Sequence, residues 1–200
     1  MYNYRQLTVE QPHEIVEYRK QHGRPWHSPP HWEFIGGKQF LISAACYEHV
    51  QIIGASPERM TECETTLLEL CEQHATMVYA WCILPNHYHV LLKTENNKQL
   101  LRELGKMHGR LSYQWNCADD LQGRKVWYRC FDRAIRSHRH FWASMNYVHH
   151  NPVHHGYVQR WQDWPWSSAT EFLEKVGAET AREIWQEYPI LDYGKKWDVD

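Results

Sequence analysis

Two apolar, β-compatible runs, Thr76–Leu84 (TMVYAWCIL) and His87–Thr94 (HYHVLLKT), are separated only by Pro85-Asn86. So short a connection leaves no room for a crossover, and the runs must pair antiparallel as a hairpin. Helical patterns flank the hairpin on both sides. Ser56 followed by Pro57 and Glu58 has the chemistry of a helix start, and the segment running to about His74 sets Leu67, Leu68, Leu70 and Cys71 on a buried side. After the hairpin, Asn97–Asn116 reads as a long amphipathic helix whose outward face holds Arg102, Lys106 and Arg110. Lys38–His49, following Gly36-Gly37, supplies a first strand, and Trp127–Ser137 a fourth. Arg139–His150 forms a third core helix, with Pro152 and Gly156 closing it. The order β-α-β-β-α-β-α predicts an α+β sandwich, a central antiparallel sheet flanked by helices and close to the split βαβ pattern.

Three segments follow from this reading. Residues 1–37 form an N-terminal extension, with a short helix over Glu10–Gln21 and a turn-rich stretch at Gly23–Pro30. Residues 38–160 make up the main domain, and 161–200 an acidic, Trp-rich C-terminal tail. No apolar run approaches the ~18 residues that a membrane span needs. Met1–Glu10 lacks the basic-then-apolar layout of a signal peptide. Six cysteines without a C-x-x-C pair, mostly in apolar stretches, read as buried thiols of a cytoplasmic protein.

The net charge of −2 argues mildly against nucleic acid as a partner, but its distribution points the other way. Between Arg102 and Arg139 nine Lys/Arg face four acids, whereas residues 160–200 hold five basic and nine acidic side chains. Screening confines each field to roughly 8–10 Å, so a local basic face still attracts phosphates.

The chemistry concentrates in two places. His87 and His89 alternate on one strand, so both imidazoles project to one face, about 6–7 Å apart at the backbone. That spacing lets both rings converge on one cation. Tyr88 points to the opposite face, where a large ring suits the core. On the last core helix, Tyr147 and Asn151 are i and i+4 and share a face. A phenolic oxygen and an amide oxygen placed there can face the same cation as the histidines. Phosphoryl transfer to tyrosine uses such a set, in which a metal polarises the phosphate and an in-line hydroxyl attacks it.

Leu84-Pro85-Asn86-His87-Tyr88-His89-Val90-Leu91-Leu92 and Tyr147-Val148-His149-His150-Asn151-Pro152-Val153-His154-His155-Gly156, taken together, resemble the REP-associated tyrosine transposases, members of the HUH-type single-tyrosine transposases. Asp163-Trp164-Pro165-Trp166-Ser167-Ser168 and Trp127 with the basic strand through Phe131, Arg133 and Ile135 match that family too, so the likeness spans roughly residues 38–170. It implies a ferredoxin-like core and a divalent metal, usually Mg²⁺ or Mn²⁺, held by His87 and His89 with Asn151 as a further contact. It also implies that Tyr147 attacks single-stranded DNA at palindromic repeat hairpins, forming a 5′-phosphotyrosine link that can be reversed to rejoin strands. Arg102, Lys106, Arg110, Arg133 and Arg136 are the expected backbone contacts, by charge rather than by motif.

The middle residue, Tyr88, departs from the small aliphatic found at that place in the family. Imidazole donors suit Mn²⁺ or Zn²⁺ better than Mg²⁺, so the metal stays open, as do monomer and homodimer. Tyr113 is the rival nucleophile, and a hairpin-binding protein that no longer cleaves is the rival function. His149, His150, His154 and His155 read as surface or DNA-facing residues, because no Cys or carboxylate stands beside them at ligand spacing.

Overall fold

A computed structural model describes residues 38–190. Strands β1 (Lys38–Ala45), β2 (Met77–Ile83), β3 (His87–Thr94) and β4 (Phe131–Ala134) form one sheet in the order β2-β3-β1-β4, and every neighbouring pair is antiparallel. This is the α+β split βαβ arrangement expected from the sequence. The stretch from Glu10 to Gln21 lies outside the described residues.

Helices α1 (Pro57–His74) and α2 (Asn97–Ala118) pack on one face of the sheet. There Leu67, Cys71, Leu100, Leu104, Met107, Leu111 and Trp115 share a core with Phe40, Ile42, Tyr88, Val90 and Leu92. Both helices begin on the caps their sequences offer. The Ser56 hydroxyl accepts from the Arg59 amide at 3.3 Å, and the Asn96 side chain from the Gln99 amide at 3.0 Å. Helix α3 (His138–His154) lies on the other face, capped by Ser137, with Phe141 edge-on to Tyr79 of β2.

Several boundaries differ from expectation. Helix α3 runs past Pro152 to His154 rather than ending at His150. Proline removes one backbone donor, yet Pro152 is buried and the last turn is held by the His155 amide bonding to the Asn151 carbonyl at 3.1 Å. Gly156, at φ 72°, then turns the chain out of the helix. Strand β1 stops at Ala45, because the chain turns through Tyr47–His49 with Glu48 and His49 at φ 53°. The fourth strand keeps only Phe131–Ala134 of the expected Trp127–Ser137. Ser43 pairs with Phe131 while Cys46 bridges Trp127, a slip of one residue that marks a β-bulge. Trp127 dives into the core and stacks on His108 with ring centroids 4.3 Å apart.

The stretch from Trp164 to Ser168 is built onto the sheet. Trp166 and Ser168 exchange backbone bonds with Ile83 and Trp81, Ser167 bridges Cys82, and helices α4 (Ala169–Val176) and α5 (Ala178–Glu187) follow. His149, expected at the surface, is buried, with its Nε2 3.0 Å from Ser168 Oγ and its ring stacked on Trp161. Among the described residues no helix is long and apolar enough to cross a membrane. Cys46, Cys63, Cys71 and Cys82 are buried free thiols, whereas Cys117 is exposed.

Two buried imidazoles give the fold an acid sensitivity. Burial depresses His108 from 6.5 to about 4 and His149 from 6.5 to about 3. Burial also raises Tyr88 well above its ordinary value, so its hydroxyl stays protonated and hydrogen-bonds with neutral His108 Nε2 at 2.9 Å. In the unfolded chain both histidines take up a proton near pH 6.5. Their contribution is therefore complete above that pH and is lost as pH falls toward the folded values. A melting temperature that declines steadily from neutral pH to about pH 4, with a flatter decline in His149→Gln, is the expected result by circular dichroism. Equal slopes in the two proteins would remove His149 from the explanation.

Candidate active site

Strand β3 starts directly after the Leu84-Pro85-Asn86 turn, and its alternation sends His87 and His89 to the α3 face while Tyr88 enters the core. Their rings lie edge to face, with centroids 4.9 Å apart. On α3, Tyr147 and Asn151 occupy successive turns of the face that meets them. Asn151 Oδ1 is 2.9 Å from His87 Nε2, and the Tyr147 hydroxyl is 3.3 Å from His89 Nε2. All four residues are buried. The residues singled out on strand and helix are thus brought together pairwise.

The outer nitrogens of the imidazoles are held as well. Ser43, directly opposite His89 in the ladder, places Oγ 2.7 Å from His89 Nδ1. Asn86 Oδ1 lies 2.7 Å from His87 Nδ1, and the other end of that amide donates to the His49 carbonyl at 3.1 Å. The second bond fixes the Asn86 amide with its oxygen toward His87. A neutral His87 then carries its proton on Nδ1, which leaves a lone pair on Nε2.

That lone pair faces the Asn151 oxygen, so two acceptors meet at 2.9 Å, while Asn151 Nδ2 is buried with no hydrogen-bond partner. Exchanging the ends of the amide would satisfy His87 but strand the oxygen instead. A cation bound by both groups would relieve the meeting of the two lone pairs, because nitrogen and oxygen lone pairs are what it requires. The donor set of His87, His89 and Asn151 therefore fits a divalent metal. Among the described residues no group of three His, Cys, Asp or Glu side chains is placed to hold a metal ion.

The other expected contacts divide between the layers. Arg133 pairs with Leu41 across β1–β4, and Leu41 shares a face with Ser43, so Arg133 stands on the imidazole side. Arg136 lies just before α3, its amide bonded to His140. Arg102, Lys106 and Arg110 project from α2, on the opposite face, where Lys106 pairs with Glu103 and Arg102 bonds to Gln99. Tyr113 is 73 % exposed on that same helix, in the layer opposite His87 and His89.

Comparison with known proteins places the chain in a family. A Haemophilus influenzae protein described as a REP-associated tyrosine transposase is 30% identical over 142 residues, covering 66% of this chain and 79% of the relative. The chain belongs to the REP-associated tyrosine transposases. An Escherichia coli K12 member of that family is 27% identical over 92 residues, covering 46% of this chain and 53% of its own. The solved structure of a REP-associated tyrosine transposase bound to a REP hairpin has the same fold, with a TM-score of 0.53 and 21% identity over 87% of this chain and 93% of that one. No protein-family model matches the sequence.

Three members of the site escaped the sequence reading. Ser43 and Asn86 orient imidazoles, and the first could have been found only by knowing the β1–β3 register. His155 was grouped with surface histidines, yet its ring centroid is 5.0 Å from that of His87. The signal was present, because 147, 151 and 155 repeat at i, i+4 and i+8 along one helical face.

Gly54 supports the turn that aims His87. Its amide bonds to the Pro85 carbonyl at 2.8 Å, and a Cβ at Gly54 would stand 2.4 Å from Pro85 Cβ. Gly54→Ala must therefore push Pro85, and with it Asn86 and His87. A stability loss of about 1–3 kcal/mol is expected in urea titrations. An unchanged midpoint would mean that the turn yields without strain.

Proposed function

We propose that this family member is a metal-dependent endonuclease of transposase type, cleaving and rejoining single-stranded DNA at palindromic repeat hairpins through Tyr147. The observation that supports it most is the meeting of Tyr147 and Asn151 on one helix face with the Nε2 atoms of His89 and His87 on one strand. His87, His89 and Asn151 would hold Mg²⁺ or Mn²⁺. When bound, such a cation supplies Lewis-acid stabilisation of the charge on the scissile phosphate.

The rest falls to the protein's own groups. Tyr147 Oη bonds to phosphorus, the bond from phosphorus to the 3′-oxygen breaks, and that oxygen leaves as a hydroxyl carrying the proton the phenol gave up. A 5′-phosphotyrosine remains. Attack by a 3′-hydroxyl reverses the step and joins strands without an external energy source, because the number of phosphoester bonds is conserved. Ser43 and Asn86 hold the imidazole rings in orientation, and Arg133 and Arg136 would steer the phosphate backbone. For Arg102, Lys106 and Arg110 to take part, a hairpin stem would have to reach around a sheet edge to α2.

The test is incubation with end-labelled single-stranded DNA bearing a palindromic hairpin, with and without Mn²⁺, followed by a denaturing gel. A labelled band that travels with the protein only when metal is present is expected. Hairpin binding without any such band would favour the protein that binds but does not cut.

A further inference from the structure

The bulge in the fourth strand has a consequence for the surface beside the imidazoles. Tyr128 and Phe131 are three residues apart, and on a regular strand they would point to opposite faces. The one-residue slip between the Ser43–Phe131 and Cys46–Trp127 pairings changes this. Phe131 shares the face of Ser43, whose hydroxyl reaches His89. Trp127 enters the core on the other face, so Tyr128 returns to the imidazole side. Each ring stands across β1 from one imidazole. Phe131 lies beside Ser43, opposite His89, and the Tyr128 amide bonds to the carbonyl of Ala45, opposite His87. Two strand spacings put the roots of these rings roughly 10 Å from β3.

Both rings are left in water. Phe131 is 67 % and Tyr128 37 % exposed, whereas the core aromatics Tyr88, Trp115 and Trp127 are buried. Tyr47 extends the cluster, with its ring centroid 4.9 Å from that of Tyr128, and His49 follows at 5.9 Å. Cations accompany the rings. Lys125 Nζ lies 4.2 Å from the Tyr47 ring and 5.7 Å from that of Tyr128, and Arg133 is on the same face as Phe131. Asp132 points to the other face and is bonded by Asn97, while Glu48 is exposed at the far end of the cluster. Aromatic planes interleaved with cations are how single-stranded nucleic acid is gripped without reading its sequence.

We infer that Phe131 and Tyr128 form a stacking platform for unpaired bases of a DNA strand whose phosphate lies at His87 and His89. The platform rests on reading the histidine pair as the DNA-processing site, but it is a separate surface with its own readout. It explains why an edge strand whose four residues are all exposed keeps a phenyl ring in water.

The probe is an oligothymidylate of about a dozen nucleotides holding one central 2-aminopurine, titrated without metal into the full chain. A blunt duplex of equal length serves as the control. Phe131→Ala and Tyr128→Ala should each weaken single-strand binding about 5- to 100-fold and restore 2-aminopurine fluorescence, with duplex binding unchanged. Phe131→Leu should fail like the alanine variant, because it keeps apolar bulk and loses the flat face. Wild-type affinity and quenching in both alanine variants would overturn the platform, as would equal losses for duplex and single strand or no quenching by the wild type. Covalent capture with Mn²⁺, run beside it, separates the two ideas. An adduct without quenching sinks the platform alone, and quenching without an adduct sinks only the cleavage chemistry.

Discussion

Tyr147→Phe is expected to reduce covalent capture of hairpin DNA to background while leaving hairpin binding and the fold nearly intact. The phenyl ring would keep its place, since Tyr147 is 4 % exposed and packs edge-on to His89 with centroids 5.0 Å apart. The hydroxyl and its 3.3 Å contact to His89 Nε2 would be lost. A single hydrogen bond of that kind contributes about 1 kcal/mol to stability, too little to unfold the domain. A nucleophile, by contrast, has no partial substitute, because no covalent link forms without its oxygen. The measurement is the denaturing-gel adduct assay, with filter binding of the uncleaved hairpin as the control. Persistence of the adduct in Tyr147→Phe would remove Tyr147 as nucleophile. Tyr113 stands on α2 in the opposite layer, so Tyr113→Phe should behave as wild type. Loss of the adduct there instead would mean that a second copy of the chain brings its α2 to the site.

How much of this was legible in the sequence depended on whether the information was local. The hairpin, the cap at Ser56 and the start of α2 at Asn97 are set by residues within a few positions of one another, and all fell where expected. The histidine pair was legible for the same reason, because strand alternation is a local rule. Ser43, Asn86 and His155 join the site through register and through packing between layers, which no short window of sequence contains. The fourth strand is shorter than Trp127–Ser137 because its regular pairing with β1 breaks at the bulge. What breaks it is the demand of Trp127 for a place against His108, Trp115 and Tyr88, a contact made across the sheet. Helix α3 outruns its expected end at His150: proline normally ends helices, yet a buried last turn held by the His155 amide overrides that tendency. The Trp-rich segment was read as a tail from its charge. Trp164 and Trp166 are anchors instead, with Trp164 Nε1 donating to the Ile83 carbonyl at 2.8 Å and Trp166 Nε1 to Thr61 at 3.1 Å.

His87→Ala and His89→Ala should each abolish both the adduct and the response of the protein to Mn²⁺. A ligand that binds only the folded state at about a hundred times its dissociation constant stabilises it by about 2.7 kcal/mol. For a chain of this size that raises the melting temperature by roughly 5–10 °C. Each alanine variant removes one of the two imidazole donors, and the Asn151 oxygen with one remaining histidine is a poor site for a divalent ion. The upward shift should therefore vanish in both, whether or not DNA is present, which makes the result independent of cleavage. Ser43→Ala provides the graded comparison. It leaves both Nε2 donors in place and removes only the hydroxyl 2.7 Å from His89 Nδ1, so metal affinity should fall about 10- to 100-fold rather than disappear. A Mn²⁺-induced shift of wild-type size in His87→Ala or His89→Ala would mean that the acceptor facing acceptor at His87 and Asn151 is relieved by a proton. An imidazolium at His87 would then be the positive charge opposite the phosphate, and the chemistry at Tyr147 would have to proceed without a metal.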